Sequence, residues 1–491
     1  MDPKFPKITA FPTIASLVEE FPKSEAFLVG GAVRDMLRGK KVTDIDLLVR
    51  NITADELGEF LARHGRVIFA GKQFGVWKFN EIGRPRDEVY DIALPRTEFS
   101  LHKQGIYQDF KVQTNPRLPV EEDLSRRDFT VNAMAYNLAT QKLIDPNNGQ
   151  ADLKARLIRS VGNAQERFQE DYSRILRAIR FSVQLGFDIE DDTLATVRRM
   201  MAQINETVDA KRSLPYEVVA EEFLKSLAID PALTMRRWDE TGALSETIPE
   251  LLETKGCVQP ENWHAEGDVW AHILIALEKL FSPEFKQEFN DEKPDMELIL
   301  AVLFHDIGKP YTLKTPEKDN VDRIRFDGHD EVGAKVTKEI LARLRVSAPP
   351  KVGVHPDRVV WMIAHHMLLV HGDPEKLRPN TIEKYFFSSR WPSRNFLKLL
   401  YVDGCATIGP DGKGMTGLYE RIKARMAEIK RTTGSRGSTL AKPLLTGDDV
   451  IQELNLKPGP KVGKILEEVR SKQLSGELSG KDEAAAYIKT L

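Results

Sequence analysis

The pattern of apolar and polar positions changes character along the chain. Between residues 27 and 140, short apolar and β-branched runs alternate with stretches of helical periodicity, which is typical of a small α/β domain. The runs that predict strands are Ala26–Val29, Ile45–Val49, Val67–Ala70, Val76–Phe79 and Val89–Ala93. From about residue 150 to 250, apolar positions recur at spacings of three and four residues, so this part is predicted to be helical.

The second half of the chain continues this helical pattern. A further helical block spans residues 264–410, and the histidines of the chain concentrate there. The stretch TTGSRGSTLAKP at residues 432–443 predicts a linker. The residues that follow predict a short helical domain with a Pro-Gly-Pro turn.

Composition narrows the class of protein. The 491 residues suffice for about three domains at roughly 150 residues each, and 41% hydrophobic with 30% charged residues is typical of soluble globular proteins. Neither a membrane span nor a signal peptide is predicted. Two cysteines without CxxC spacing exclude a disulfide framework and a thiolate zinc site, so we expect a cytoplasmic protein. The net charge of −3 neither favours nor excludes a nucleic-acid partner, since such binding needs only a local basic surface.

Two aspartates stand one residue apart in the strand-like run DIDLLV. Side chains alternate along a strand, so Asp44 and Asp46 would project from one face, where each raises the pKa of the other unless a cation binds between them. Carboxylates that hold divalent ions beside a triphosphate are the parts of a two-metal nucleotidyl-transfer site. Asp91 is the candidate third carboxylate, with a plain strand-edge charge as the alternative. An isolated DxD is often only a turn, so the interpretation depends on its neighbours.

The glycines upstream strengthen this interpretation. Gly30 and Gly31 follow a predicted strand and open a predicted helix. Glycines there let backbone N–H groups approach a phosphate, and the helix N-terminus favours negative charge. Arg34 lies one turn later and can add a bidentate contact to the same phosphate.

A dense charge cluster follows in EEDLSRRDFTVNAMAYN at residues 121–137. The functional interpretation assigns Arg127 to phosphate and Asp128 to the ribose hydroxyls. The alternative is structural, with Asp128 capping the backbone from Phe129 onward.

A third cluster lies in ERFQEDYSRILRAIRF at residues 166–181. Its arginines recur every three residues opposite an apolar face, and they are Arg174, Arg177 and Arg180. Asp171 precedes the first by one turn, so an acceptor and a fork of donors can be presented together. Cytosine and adenine share an amino donor beside a ring-nitrogen acceptor, so this pair would accept C and A and reject U and G. Ordinary surface charge is the alternative.

Taken together, these motifs resemble those of the class II tRNA nucleotidyltransferases, the bacterial-type CCA-adding enzymes. GGAVRDMLRG, DID, RRDFTVNAMAY, DPNNGQADLKARLIRSVG and ERFQEDYSRILRAIRF stand in the family's order over residues 27–181. The resemblance implies magnesium ligands at Asp44 and Asp46, and triphosphate and ribose contacts from Gly31, Arg34 and Arg127. It also implies an amino-acid template for base selection, formed by Asp171 and Arg174 with support from Arg177 and Arg180.

The same family contains poly(A) polymerases and enzymes that add only CC or only A. Residues 97–120 resemble in position the flexible loop of enzymes that add A, and no basic tail typical of poly(A) polymerases is found. We therefore expect full CCA addition to tRNA from CTP and ATP. Addition of A alone and poly(A) synthesis remain alternatives, and the oligomeric state is left open.

The histidine-rich block contains AHILIAL, LAVLFHDIGKP, FDGHDEVGA and IAHHM. Imidazole and carboxylate together suit a divalent metal. The spacing resembles the HD phosphohydrolase superfamily, which implies one metal at His272, His305, Asp306 and Asp403. His329, His365 and His366 would hold a second metal or bind phosphate. The identity of the metal is left open, and an intact fold with a lapsed site is the alternative to metal-dependent phosphatase and 2′,3′-cyclic phosphodiesterase activity.

The resemblances together imply the fold class. We expect an α/β nucleotidyltransferase head with a polymerase-β-like mixed sheet at residues 1–145 and a helical neck and body at 146–255. An HD domain at 256–431 and a tRNA-contacting helical tail at 440–491 complete the expected all-α remainder.

Overall fold

A computed structural model describes residues 5–42, 44–69, 75–86, 88–100, 110–208, 210–347, 353–368, 377–433 and 440–491. The chain divides into two compact units, Met1–Glu246 and Thr247–Leu491. The finer division into head, neck and body, HD domain and tail stays a prediction. No helix among the described residues is long and apolar enough to cross a membrane.

The first unit begins with an α/β region. Its strands are β1 (Glu25–Val29), β2 (Ile45–Arg50), β3 (Gly65–Phe69), β4 (Val76–Glu81), β5 (Tyr90–Ala93), β6 (Arg96–Ser100), β7 (Phe110–Thr114), β8 (Ala135–Asn137), β9 (Leu143–Ile144), β10 (Leu157–Ile158), β11 (Asp188–Ile189), β12 (Thr207–Val208) and β13 (Lys211–Arg212). Seven of them form a mixed sheet in the order β3-β4-β5-β2-β1-β8-β9, in which β2 and β5 are parallel. The predicted mixed-sheet head is confirmed, and the five predicted strand runs coincide with β1 to β5, except that Ala70 lies outside the described residues.

The helices of the first unit surround and follow this sheet. They are α1 (Pro12–Glu20), α2 (Gly31–Leu37), α3 (Ala54–His64), α4 (Val120–Ser125), α5 (Gly149–Ala155), α6 (Ala164–Glu170), α7 (Ser173–Leu185), α8 (Asp191–Met200), α9 (Tyr216–Leu227), α10 (Pro231–Glu240) and α11 (Ala243–Thr247). Short 3₁₀ helices lie at Ile8–Ala10, Thr130–Asn132 and Met201–Asn205.

The central strands β1 and β2 are mostly apolar because both of their faces contribute to hydrophobic clusters. On β1, Ala26 and Leu28 join one hydrophobic cluster, whereas Phe27 and Val29 join another. On β2, Leu48 belongs to the second cluster. Alternate side chains of a strand share a face, so the side chain at position 46 projects from the face of Leu48.

The second unit is helical. Its helices are α12 (Val269–Lys279), α13 (Pro283–Glu288), α14 (Met296–Phe304), α15 (Lys309–Thr312), α16 (Pro316–Asp319), α17 (His329–Arg343), α18 (Pro356–His365), α19 (Pro379–Phe386), α20 (Ser393–Ala406), α21 (Gly417–Thr432), α22 (Gly447–Leu454), α23 (Pro460–Ser475) and α24 (Lys481–Ile488), with a 3₁₀ helix at Pro249–Thr254. The last three enclose a core of their own. Of the predicted linker at 432–443, residues 434–439 lie outside the described part of the chain.

Candidate active sites in the two units

The three predicted carboxylates of the first unit lie on strands β2 and β5 or, for Asp44, directly before β2. Asp46 is the direct register partner of Asp91, and Asp44 comes two residues earlier on the β2 side. Burial is the main cause that raises the pKa of Asp46; Asp91 and Asp44 raise it further, whereas Arg127 opposes them. Burial and the neighbouring carboxylates thus disfavour the charged form of Asp46, and a bound divalent cation such as Mg²⁺ would stabilise that form.

Lys78 of β4 contacts the third carboxylate. It is the register partner of Asp91, and its Nζ lies 2.7 and 2.9 Å from the two carboxylate oxygens. Both side chains are partly exposed. Ligation of a metal by Asp91 requires this flexible ammonium to shift, so the metal-ligand role of Asp91 stays a prediction.

Gly30 lies directly beside this carboxylate cluster. Its φ of +67° lies in the left-handed region, and a Cβ placed there would come within 2.7 Å of the Arg127 guanidinium and 3.7 Å of an Asp46 carboxylate oxygen. Any side chain at this position would thus be strained and would crowd Arg127. The turn that starts α2 and the Arg127 side chain therefore lie against the carboxylates, and their contact with a nucleotide stays a prediction.

Arg34 is held by partners within the chain. It is 4% exposed, donates to both carboxylate oxygens of Asp35 at 2.9 and 2.7 Å, and donates to Asn132 Oδ1 at 2.7 Å. A Cβ on Gly31 would lie 3.4 Å from its guanidinium, so Arg34 is next to the predicted triphosphate turn. Its contact with phosphate stays a prediction.

Asp128 bonds the backbone of the next residue, as the structural alternative suggested, although the 3₁₀ helix Thr130–Asn132 that follows has no side-chain cap. Its Oδ1 accepts a hydrogen bond from the Phe129 backbone N–H at 2.8 Å, and its Oδ2 accepts from Arg177 at 2.9 and 2.5 Å. Burial favours a raised pKa for Asp128, but the Arg177 guanidinium outweighs it and holds the pKa below its usual value. The two residues form a fixed ion pair beside Arg127, and the ribose contact of Asp128 stays a prediction.

The predicted base-selecting helix is broken at Asp171. Helix α6 ends at Glu170 and α7 begins at Ser173, with Asp171 in an extended conformation between them. The carboxylate of Asp171 accepts a hydrogen bond from the Ser173 backbone N–H at 2.8 Å, so it caps α7 instead of extending it. Asp171 was expected one helical turn before Arg174, and it instead lies just before α7, where it begins the turn that contains Arg174.

The arginines of α7 do not form an exposed charged face. Arg174 and Arg180 are 8% and 9% exposed, and the guanidinium of Arg180 lies 2.5 Å from a Glu222 carboxylate oxygen. Arg174 donates to Glu170 Oε2 at 2.6 Å and to the Arg167 carbonyl at 3.0 Å. The simple surface-charge alternative is therefore excluded for these two side chains.

Phe181 was not singled out in the sequence, although three of the predicted arginines surround it. The guanidinium carbons lie at 4.1 Å for Arg180, 5.3 Å for Arg177 and 5.8 Å for Arg34 from the centre of the ring. A phenyl ring attracts cations at its face. Phe181 thus ties the arginine cluster of α7 to the arginine of α2. Its position one residue after Arg180 is the sequence feature that could have indicated this contact.

In the second unit, one predicted metal group joins three helices. His272 of α12, His305 at the end of α14 and Asp403 of α20 have ligand atoms within 4.8 Å of one another. His272 Nε2 lies 3.2 Å from Asp403 Oδ1, and His305 Nε2 lies 3.6 Å from the same oxygen. Burial alone would lower the pKa of His272, but hydrogen bonds to Asp403 and Glu266 raise it to about 9. The surroundings thus favour positive charge at this point.

Asp306 connects this group to a second one, formed with His329 and His366. Its Oδ2 lies 3.4 Å from His305 Nε2, whereas its Oδ1 lies 3.4 and 3.7 Å from Nε2 of His329 and His366. One carboxylate therefore faces both groups with different oxygens. Asp306 could therefore contribute one oxygen to each group if divalent metal ions were bound there.

The ring orientation of the clustered histidines also favours metal. Their Nδ1 atoms face acceptors, which are the Val302 carbonyl for His305 (2.8 Å), the Phe326 carbonyl for His329 (2.8 Å), the Ile363 carbonyl for His366 (2.7 Å) and the Glu266 carboxylate for His272 (2.9 Å). A neutral ring that donates from Nδ1 has its lone pair on Nε2. The two Nε2 atoms lie 3.2 Å apart in the pair His272–His305 and also in the pair His329–His366. Facing lone pairs at this distance fit a shared cation.

His365 is the one predicted ligand that the fold places elsewhere. Its Nδ1 lies 2.7 Å from the Trp361 carbonyl, and its ring packs against Trp361 and Tyr385. It belongs to neither metal group among the described residues. Its neighbour His366, the residue directly after the end of α18, points into the cluster instead. The assignment of His365 as a metal ligand is therefore corrected, whereas the alternative that it binds phosphate stays a prediction.

Sequence reasoning missed two charged partners of these ligands. Glu266 is buried and accepts hydrogen bonds from His264, His272 and the Ile408 backbone N–H at 2.6, 2.9 and 2.8 Å. Lys309 is also buried, and its Nζ lies 2.6 Å from Asp306 Oδ2. Lys309 lies in the HDIGKP part of a motif quoted above, so the sequence could have suggested it as a partner of Asp306. Glu266 lies outside every quoted motif.

Comparison with known families agrees with this division into two sites. Residues 26–159 match the Poly A polymerase head domain, and residues 275–388 match the HD domain. The first match contains the carboxylates and the glycine turn but not α7. The second contains His305, Asp306, His329 and His366. His272 and Asp403 lie outside its bounds, and the fold brings them to the cluster.

Full-length relatives decide the family. The A-adding tRNA nucleotidyltransferase of Deinococcus radiodurans is 32% identical over 96% of this chain and 96% of its own length. The Multifunctional CCA protein of Pseudomonas aeruginosa is 32% identical over 91% of this chain and 96% of its own. This chain belongs to the tRNA nucleotidyltransferase family. The Multifunctional CCA protein of Chromobacterium violaceum, 35% identical over 81% of this nucleotidyltransferase and 86% of its own length, is a further relative.

Solved structures share the fold of this nucleotidyltransferase. The Bacillus stearothermophilus CCA-adding enzyme in complex with CTP superposes with a TM-score of 0.63 at 21% identity and covers 99% of this chain and 98% of its own. The Thermotoga maritima CCA-adding enzyme complexed with tRNA gives a TM-score of 0.55 at 20% identity, over 100% and 96% of the two chains. The predicted order of a mixed-sheet head and a helical remainder is thereby confirmed.

Proposed function

We propose that the first unit completes the CCA end of tRNA with CTP and ATP as substrates. The observation that supports this most is the register pairing of Asp46 with Asp91 beside the Gly30 turn, since it assembles carboxylates and a phosphate-binding backbone in one place. Mg²⁺ held by Asp44 and Asp46, with Asp91, would activate the 3′-hydroxyl of the RNA and stabilise the leaving pyrophosphate. Arg127, between the turn and Asp46, binds the triphosphate in this proposal. The cytoplasm is the expected location, because tRNA is the substrate.

Base selection falls to Asp171 and Arg174. Asp171 accepts from the exocyclic amino group of C or A, and Arg174 donates to the adjacent ring nitrogen. Arg174 contacts Glu170 at 2.6 Å in the structure, so it exchanges part of this ion pair for the base. U and G present a carbonyl and an N–H instead, which would place an acceptor against the Asp171 carboxylate and a donor against the Arg174 guanidinium.

A second candidate is the addition of the terminal A alone. It is favoured by the Deinococcus radiodurans relative, whose name states A addition and which matches nearly the whole chain. The loop expected to distinguish enzymes that add A includes residues 101–109, which lie outside the described residues.

One assay separates these candidates. Transcripts of tRNA that end before CCA, after C and after CC are incubated with Mg²⁺ and with CTP, ATP or both, and products are sized to one nucleotide. Completion of all three to one defined end supports CCA addition. Extension of only the CC-ended transcript by a single A supports the second candidate, and a long A ladder means poly(A) synthesis.

For the second unit, we propose metal-dependent phosphohydrolase activity of the phosphatase or 2′,3′-cyclic phosphodiesterase type. The supporting observation is Asp306, whose two oxygens face two groups of Nε2 lone pairs. Divalent ions held there would polarise a phosphoryl oxygen and supply a bound hydroxide. Lys309 contributes a buried positive charge beside Asp306. The test is hydrolysis of 2′,3′-cyclic AMP and of p-nitrophenyl phosphate with Mg²⁺, Mn²⁺, Co²⁺ or Ni²⁺, and with EDTA as the negative control.

A further inference from the structure

A cationic cavity lies in the first unit away from the carboxylates. It encloses about 490 Å³ between the end of α2, the end of α5 and the residues after α7. We call it the α2–α5 pocket, and its lining residues are Leu37, Arg38, Lys40, Gln150, Leu153, Lys154, Arg156 and Phe187. Four of these eight side chains are cations, and none is a carboxylate.

Two arginines are fixed in place around one aromatic ring. The guanidinium carbons of Arg38 and Arg156 lie 5.2 and 5.4 Å from the centre of the Phe187 ring. Arg38 donates to the Leu185 carbonyl at 3.3 Å, and Arg156 donates to the Gly186 carbonyl at 2.7 Å. Both side chains are thus oriented by the end of α7 before any ligand arrives, which lowers the entropy cost of binding.

The positive charge of the pocket is poorly neutralised within the protein. Asp35 is 3.9 Å from Arg38 but 2.7 Å from Arg34, so it is mainly the partner of Arg34. Burial lowers the pKa of Arg38; Asp35 opposes this, whereas Arg34 and Arg156 lower the pKa further. Like charges therefore remain close together, and an anionic ligand would relieve their repulsion.

The two lysines complete the cationic lining. Lys40 and Lys154 are both exposed, and neither forms an ion pair with a described residue. Their ammonium groups are strongly hydrated and mobile, which suits phosphate groups at variable positions better than one small enclosed anion.

We propose that the α2–α5 pocket binds phosphodiester groups of the RNA strand that the first unit extends. The inference rests on the proposed function, because it takes tRNA as the substrate. Helix α2 begins at the candidate nucleotide-binding turn and ends at the pocket, and its seven residues span ~10 Å. One RNA molecule whose 3′ end lies at the carboxylates can therefore reach the pocket. The open rim favours a polymeric backbone over a free nucleotide.

The test removes the two lysines that have no internal partner. A Lys40→Gln/Lys154→Gln variant is compared with a Lys7→Gln/Lys23→Gln variant, which removes the same charge from two exposed lysines elsewhere in the unit. The dissociation constant for a tRNA transcript is measured at several salt concentrations. The pocket variant is expected to bind roughly tenfold more weakly and to lose on the order of 1.5 from the slope of log K against log salt, since each phosphate contact contributes ~0.7–0.9. The KM for CTP is expected to stay unchanged.

Three results would overturn the inference. The first is a tRNA affinity and salt slope that match those of the control variant. The second is a raised KM for CTP with unchanged tRNA affinity, which would assign the pocket to the free nucleotide. The third is an equal loss of tRNA affinity in both variants, which would mean a diffuse effect of net charge. Failure of the wild-type chain to extend any transcript would contradict the proposed function instead, and the affinity comparison does not depend on it.

Discussion

Asp46 and Asp91 face each other across the parallel strands β2 and β5, and Lys78 of β4 contacts the Asp91 carboxylate from the next strand. The sheet order places these three side chains in one row. The two carboxylates repel each other, and the lysine attracts one of them. The arrangement thus favours a bound cation at Asp46, whereas Lys78 competes with such a cation for the Asp91 carboxylate.

We first predict opposite effects of substitutions at the two ends of the Lys78–Asp91 contact. Asp91→Asn removes a carboxylate from the cluster and should slow nucleotide addition on the order of 100-fold, with a higher Mg²⁺ concentration needed for half-maximal rate. Lys78→Gln frees the same carboxylate and should lower that Mg²⁺ requirement. A magnesium titration of the addition rate checks both. An unchanged magnesium requirement in both variants would remove Asp91 from the metal site.

The second prediction concerns the adjacent histidines of the second unit. His366→Asn removes a group that faces Asp306 and should abolish metal-dependent hydrolysis of 2′,3′-cyclic AMP. His365→Asn is the matched control, because that ring packs against Trp361 outside the cluster and should leave most of the hydrolysis intact. The two rates are compared at saturating Mn²⁺. Equal losses in the two variants would speak against the cluster as the site of hydrolysis.

Glu266 is predicted to position His272 for metal binding. Its carboxylate accepts the Nδ1–H of His272 and so keeps the Nε2 lone pair directed at the cluster. Glu266→Gln should weaken Mn²⁺ binding about 10- to 100-fold. Calorimetric titration of the protein with Mn²⁺ measures this without any substrate.

The control for Glu266 is Glu261→Gln, an exposed carboxylate of the same segment. It carries the same loss of charge and should leave Mn²⁺ affinity unchanged. Equal affinities of the Glu266 and Glu261 variants would reduce Glu266 to a structural residue.

The fourth prediction is a pH-dependent contribution of the buried Asp128–Arg177 pair to stability. Asp128→Asn should lower the free energy of unfolding by ~2 kcal/mol at pH 7. The pKa of Asp128 is lowered on folding, so the stabilisation is complete above its unfolded pKa of ~3.9 and is lost as the pH falls through the folded value. The difference between variant and wild type should therefore shrink below about pH 4.

Urea denaturation at pH 7 and near pH 3 measures this difference. Asp188→Asn is the control, because Asp188 forms an ion pair with Arg237 but its side chain is 78% exposed. It should cost less than ~1 kcal/mol at either pH. A pH-independent loss in the Asp128 variant would assign its effect to packing alone.

The central strands could be predicted from the sequence because both of their faces are buried. Ala26–Val29 is a continuous apolar run, and Ile45–Val49 is apolar except for Asp46, a pattern that is typical of a strand buried on both faces. The break at Asp171 could not be predicted, because the apolar periodicity of α6 and α7 continues across it. The ion pair of Arg180 with Glu222 depends on packing between elements that are distant in sequence, which periodicity does not reveal.

The residues of the histidine cluster also differ in whether the sequence could reveal them. Adjacent His305 and Asp306 were visible because they follow an apolar helix and precede a glycine. His365 and His366 were equivalent in the sequence, and only the end of α18 decides which ring faces Asp306. Glu266 accepts a hydrogen bond from the Ile408 backbone N–H, which is far along the chain. The periodicity of the sequence cannot predict such a contact.

The measurement that tests the central claim most directly is nucleotide addition by Asp46→Asn. Single-turnover addition of one nucleotide to a tRNA transcript is compared with wild type, and the tRNA dissociation constant is measured on the same preparations. The account predicts that addition falls at least ~1,000-fold, since a cation ligand at the reacting atoms is lost, while tRNA affinity stays within about twofold. Undiminished addition by this variant would contradict the assignment of the carboxylates as the nucleotidyl-transfer centre.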